Sequence, residues 1–209
     1  MRAVIAPLAY GGSITLWAHM VQASHVITEK YDHYQKQTQR NRLYIHGANG
    51  KLMLSVPVKH LGREGHQNYN EVQIDNQFSW QAQHWKSLEA AYRSSPYFEF
   101  YEDELAFLYQ ACFTHLYEFN HAFFKVLEKL VGLSFEHSFT KSYEKEVPCL
   151  DLRSLQDVKS NSVYADLVYT QVFEDKNGFI PNLSILDLLF NQGPECLSLL
   201  KNCRLPKKL

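Results

Sequence analysis

The first thirty residues constrain the fold most. "RAVIAPL" predicts a short buried strand, "AYGGS" a tight loop, "ITLWAHMVQAS" a helix and "HVITEK" a second strand. That order lays the two strands side by side and parallel, because a parallel pair needs a crossover long enough to hold a helix. The class expected is therefore α/β with a partly parallel sheet. Two extended runs come next, "RLYIHG" and "KLMLSVPV", joined by "ANG". Asn49-Gly50 is a strong hairpin signal, so this pair is expected to be antiparallel. "NEVQID" reads as one more short alternating strand, with Val72 and Ile74 on one face.

From Phe78 the apolar period lengthens to that of helices. "SWQAQHWKSLEAAYRSS" predicts a helix ended by Pro96. In "DELAFLYQACFTHLYEFNHAFFKVLEKLVG" apolar side chains recur at Leu105, Leu108, Cys112, Leu116, Phe119, Phe123, Leu127 and Leu130, which predicts one long amphipathic helix stopped at Gly132. "FEHSFTKSYEKEV" is polar and strand-like, and residues from Pro148 to about Tyr164 read as a surface connection. In "NGFIPNLSILDLLFNQGP" Ser184 and Asp187 resemble a capping box, with Gly193-Pro194 as the stop. The C-terminal half is thus largely helical. With 45% hydrophobic residues, the 209 residues can bury a sizeable core. One domain over residues 1–209 is expected, an α/β part over 1–77 and a mainly helical part over 78–209.

The formal net charge is -1, too small for the domain-wide attraction that nucleic acid or an anionic membrane surface needs. No apolar stretch reaches the length of a membrane span. "MRAVIAPLAYGGSITLWAHMVQAS" has the charge and small-residue end of a secretion signal, but Pro7, Gly11, Gly12 and Ser13 break its apolar run. Cys112, Cys149, Cys196 and Cys203 form no C-x-x-C, which suits a reducing compartment, and a cytoplasmic location is expected. The ten histidines lack metal-ligand spacing, so no metal site is expected. Neither G-x-S-x-G nor H-E-x-x-H occurs. No motif requires a cofactor, and any anion site, for a nucleotide or another anionic small molecule, has to be local.

The segment "HYQKQTQRNR", His33 to Arg42, is the first candidate for such a site. It holds Lys36, Arg40 and Arg42 with amides at Gln37 and Asn41 among others, and no carboxylate, whereas solvated faces usually mix both signs. Each arginine offers a planar fork to a carboxylate or phosphate. In an extended chain Lys36, Arg40 and Arg42 share one face. The alternative is a solvated loop with no specific ligand. Tyr10-Gly11-Gly12-Ser13 is the second, since a helix start offers unpaired N–H groups and glycine lets a ligand approach; the alternative is an ordinary turn with Ser13 as N-cap. The third is the helix with His84, suited to proton transfer, and with Lys86, Glu89 and Arg93 on another face, where a plain surface ion network is the alternative. Asn182 is a further candidate.

With these residues assembled, the chain resembles the WbqC-like family in its Bacteroidetes-type form. The stretches that carry the resemblance are "AYGGSITLWAHMVQASHVITEKYDHYQKQTQRNRLYIHGANGKLMLSVPVK", "IDNQFSWQAQHWKSLEAAYRSSPYFEFYED" and "NLSILDLLFNQGPE". Ala6-Pro7 stands where that family opens on Gln-Pro, and Ser13-Ile14-Thr15-Leu16 where it has an aromatic run, so no role is carried onto those positions. The resemblance implies a place in bacterial polysaccharide and O-antigen metabolism and, for some members, glycine transfer. Transfer of an amino-acyl or related group needs an anion site and a base. Arg40, Arg42 and Lys59 would be the anion binders, and His33 or His84 the base. The competing classes are a non-catalytic module binding a nucleotide or glycan precursor, and a nucleotidyl-transfer-like α/β enzyme.

Overall fold

The computed structural model describes residues 2–59, 67–133, 136–157 and 164–206. β1 (Val4–Pro7) is buried throughout, α1 (Ile14–Val21) crosses over, and β2 (Val26–Glu29) returns parallel to β1 with Val4 opposite Val26. All eight α1 residues are buried, which is why the helix carries no solvent stripe. The hairpin comes next as β3 (Arg42–Gly47) and β4 (Gly50–Ser55), antiparallel, with Gly47 opposite Gly50 and Gly50 at φ 96° closing the turn. Leu43 and Ile45 of β3 face the core, so Arg42 and Tyr44 between and beside them face out.

"NEVQID" differs from its expectation. Tyr69–Glu71 is a 3-10 turn, and the residues after it make single bridges, Gln73 with His115 and Ile74 with Val58, in place of a ladder. The alternation still holds, because Val72 and Ile74 are both buried. α2 (Trp80–Tyr92) ends before Pro96 as its sequence predicts. The single long helix is instead two, α3 (Phe98–Gln110) and α4 (Leu116–Val131). Two tertiary hydrogen bonds hold the break, the Thr114 carbonyl accepting from Ile74 N and Leu116 N donating to the Val72 carbonyl, and locally the Glu118 carboxylate accepts from His115 N at the new start. Cys112 keeps the apolar period in phase across the break, yet it is exposed.

β5 (His137–Phe139), inside the polar strand-like segment, pairs parallel with β2. The stretch after Pro148 is more than a surface connection. β6 (Leu150–Asp151) pairs parallel with β1, and the 3-10 turn Arg153–Gln156 buries Leu155 and Arg153. A two-residue strand has no period to read, which is why sequence passes over it. Residues 158–163 of that stretch and Phe135 of the polar segment lie outside the described residues. The sheet order is β5-β2-β1-β6. α5 (Glu174–Asn177), α6 (Ile185–Gln192), a 3-10 turn at Gly193–Glu195 and α7 (Cys196–Asn202) complete the helical C-terminal half. Ser184 Oγ caps α6 by accepting from Leu186 N at 3.3 Å, but the Asp187 carboxylate takes no part in the cap and is wholly buried. Buried residues of the sheet, hairpin and helices join one apolar cluster. Among the described residues no helix is long and apolar enough to cross a membrane.

In parallel sheets the crevice at the carboxyl ends of the strands is the usual place for a ligand. Here protein fills it. Arg153 lies just past β6 and is 7% exposed; it donates to Asp151 at 2.7 Å, to Glu29 at the end of β2 at 3.3 Å, and to the Glu144 and Lys145 carbonyls at 2.7 and 3.1 Å. Burial pushes the Asp151 carboxyl up, and its bonds with Arg153 more than reverse this, holding it below the usual carboxylate range.

Candidate functional site

The donor-rich segment splits into an inner and an outer part. Arg40 is 1% exposed. Its guanidinium pairs with Asp32, donates to the His33 carbonyl at 2.9 Å and lies 5.1 Å from the centre of the Tyr69 ring, while Asn120 Nδ2 donates to the Arg40 carbonyl at 2.6 Å. The counter-charge missing from "HYQKQTQRNR" is thus supplied one residue before it begins. Gln39 binds the Gln156 and Leu155 carbonyls, through its N–H at 2.8 Å and its Nε2 at 3.2 Å, and so ties the segment over the sheet. This is not the strand on which Arg40 and Arg42 would share a face.

Arg42 begins β3 and meets a different environment. An open cleft of about 460 Å³ lies between the segment, the foot of the hairpin and the chain before α2. Lys36, Gln37, Asn41 and Arg42 line it, with Tyr34, Asp75 and Phe78 and a floor from Ser55 to Val58. Among the described residues the Arg42 side chain has no acid within ion-pair distance, and its Nε is shielded from solvent without an acceptor. Asn41 is 8% exposed; its Nδ2 donates to the Val56 carbonyl at 3.1 Å, which leaves Oδ1 without a donor. Gln37 stands at φ 64°, a left-handed conformation costly outside glycine and often kept at binding sites. Burial pushes the Tyr34 hydroxyl above its ordinary pKa, and Arg40 and Arg42 nearby oppose that.

The glycine loop lies behind this cleft. Arg42 also lines a pocket of about 10 Å³, room for one water, with Tyr10, Gly12 and Asn182. The amino end of α1 offers no free donor there: Ile14 N donates to Leu183 O, Thr15 N to Asn182 Oδ1, Leu16 N to Ser13 Oγ and Trp17 N to Ser13 O. The loop is thus the capped βα turn, and an anion would have to displace protein acceptors to bind it. Gly11 stands at φ 68°, and a Cβ there would meet Leu43 Cδ1 at 2.7 Å and Ser184 Oγ at 2.8 Å, so glycine is required by packing. Asn182, at φ 55°, is spent on Thr15.

His84 is 5% exposed and sits under the cleft floor. Its Nδ1 lies 3.0 Å from the Tyr10 hydroxyl, which is 2.8 Å from the Tyr109 hydroxyl. Burial pulls its pKa down to about 4, a hydrogen bond to the Ser55 backbone opposing this in part. The ring is therefore neutral at pH 7, accepting from Tyr10 and donating to Ser55, and it holds the floor from beneath. The remaining candidates do not line the cleft. Arg93 is exposed and bridges Glu89 at 2.9 Å and Glu102 at 2.7 Å, a helix-surface network, and Lys86 is exposed on the same helix. Lys59 reaches Gln73 Oε1 at 3.4 Å in the open. The exposed His33 ring lies 5.9 Å from that of Tyr143. Among the described residues no group of three or more His, Cys, Asp and Glu side chains could hold a metal ion.

Sequence reasoning passes over Asp75 and Phe78. Their signal is indirect: Asp75 ends "NEVQID" and Phe78 falls in the turn between it and α2, where a large apolar side chain has no packing period to satisfy. It also passes over a buried network around Asp187, whose carboxylate accepts from the Tyr92 hydroxyl at 2.6 Å, the Tyr169 hydroxyl at 2.5 Å and Gln171 Nε2 at 3.0 Å.

Compared with known proteins, residues 13–160 match the WbqC-like protein family. The chain is similar to "Uncharacterized protein Rv1507c" of Mycobacterium tuberculosis (strain ATCC 25618 / H37Rv), 29% identical over 199 residues that cover 82% of this chain and 85% of that protein. No solved structure matches.

Proposed function

The chain belongs to the WbqC-like protein family, and from that premise we propose that it is a cytoplasmic small-molecule transferase. It moves an amino-acyl or related group in bacterial surface-polysaccharide metabolism and holds an anionic substrate in the Arg42 cleft. One contrast carries this reading. Arg40 is buried on Asp32, whereas Arg42, two residues on, lines an open cleft with no acid at ion-pair distance among the described residues. A guanidinium so placed gains most when a ligand brings the counter-charge. Lys36, in the same cleft, adds to it.

Asp75 is the group suited to proton transfer. It lines the cleft, and its Oδ1 accepts from Gln77 N at 3.2 Å, which fixes the carboxylate. An acceptor amine or hydroxyl gives its proton to Asp75 as its nitrogen or oxygen bonds to the transferred carbonyl carbon. The leaving group departs with the electron pair, and Arg42 and Lys36 offset its growing negative charge. Asp75 replaces His84 in this role, because the ring nitrogens of His84 are turned to Tyr10 and to the Ser55 backbone.

A thermal-shift panel of nucleotide-sugars, sugar phosphates and amino acids tests the reading on the wild type and on Arg42→Ala. At least one anionic compound should raise the wild-type melting temperature. That shift should vanish in Arg42→Ala, whose own melting temperature should be nearly unchanged, since β3 turns residue 42 away from the core. A wild type unmoved by every compound, or an equal shift in the variant, would sink it.

A further inference from the structure

The cleft offers more than positive charge. Phe78 is 62% exposed and lines it, with Tyr34 half-buried in the same wall and Val56, Pro57 and Val58 as an apolar floor. A lone exposed phenylalanine is unremarkable on a protein surface. This one stands in a cleft with Arg42 and Lys36. Two residues past it α2 begins, with no side chain capping its amino end and no acid in its first turn, so the helix dipole adds positive potential beside Phe78. An acceptor is present as well, the Asp75 carboxylate.

A simple anion would use the cations and leave the aromatic ring and the Asp75 carboxylate in water. A ligand that uses all three needs a phosphate or carboxylate, a flat face and N–H or O–H donors on one small frame. The volume of about 460 Å³ falls in the range of small-molecule sites. Resting on the anionic reading of this same cleft, we infer that its ligand is a nucleoside phosphate, with the base against Phe78, the phosphates on Arg42 and Lys36, and the ribose or base donors toward Asp75.

Calorimetric titration of the full chain with uridine 5′-diphosphate, adenosine 5′-diphosphate and pyrophosphate separates this inference from the anionic reading beneath it. One nucleotide or both should bind at least about tenfold more tightly than pyrophosphate, the scale of one base stacked on an aromatic side chain. Phe78→Ala should bring the nucleotide down to the pyrophosphate level without changing pyrophosphate, and Phe78→Trp should restore the difference. Residue 78 is largely in solvent, so both variants should fold. Pyrophosphate bound as tightly as the nucleotides, or a nucleotide affinity unchanged in Phe78→Ala, overturns the nucleoside part and leaves the anion site standing. No binding of any of the three overturns the nucleoside inference, and the thermal-shift panel with sugar phosphates and amino acids then decides the anion site.

Discussion

Arg40 and Arg42 look alike in "HYQKQTQRNR": the same side chain, two residues apart, each beside an amide. Composition can flag the stretch and cannot rank its members. Their difference comes from Asp32 just upstream, from the Tyr69 ring, which is remote in sequence, and from the start of β3, which turns residue 42 outward. The spacing of Trp80, His84 and Leu88 does place His84 on the inner side of its helix, but its partner Tyr10 is 74 residues away and no local signal names it. For Arg40 the consequence is a stability phenotype. Arg40→Ala leaves Asp32 buried without its partner, so the unfolding free energy should fall by about 3–5 kcal/mol in urea denaturation. A loss under about 1 kcal/mol would show that the pair is not held as a buried ion pair.

Among elements, those with a period or a turn signal of their own are the legible ones. β1, α1, β2 and the hairpin arise from apolar runs punctuated by Gly11-Gly12 and Asn49-Gly50, and α2 from its helical spacing and Pro96. The α3 and α4 break and β6 arise from hydrogen bonds to chain far away, and period carries no trace of those. The glycine loop shows the same division: its turn is legible, but the use of that turn is set by Leu43 and Ser184, which close over it. Gly11→Ala therefore combines a left-handed backbone with overpacking and should cost about 2–4 kcal/mol. Gly132→Ala at the end of α4 is the control, at φ 76° with nothing within 4 Å of its Cβ. It should cost only about 1–2 kcal/mol. Equal losses in paired urea titrations would mean that Leu43 and Ser184 give way freely and the loop is not closed by packing.

Across the whole molecule, three separate parts of the chain converge on Asp187: α2 through Tyr92, the segment before α5 through Tyr169 and Gln171, and α6, which carries Asp187 itself. The hairpin joins through His46, whose N–H donates to the Tyr92 hydroxyl at 3.2 Å and whose Nδ1 lies 3.0 Å from Gln171 Oε1. In sequence, Ser184 and Asp187 look like a local cap. Only the tertiary fold turns the acid into a clamp, because its partners lie as far as 95 residues away. Burial pushes the Asp187 carboxyl above the usual range while the hydroxyl and amide donors pull it back, so the cluster depends on all of its donors being present. Asp187→Ala would leave the two buried hydroxyls of Tyr92 and Tyr169 without their shared acceptor, at about 1–3 kcal/mol for each, while Gln171 Nε2 keeps the Ile180 carbonyl. The expected result at pH 7 is a loss of at least about 3 kcal/mol in urea denaturation, together with faster amide hydrogen exchange at His46 and Ile180, whose N–H groups donate to Tyr92 Oη and to Gln171 Oε1. If stability falls by less than about 1 kcal/mol and those two amides keep their protection, the hairpin and the C-terminal segment are held by apolar packing alone and the clamp is incidental.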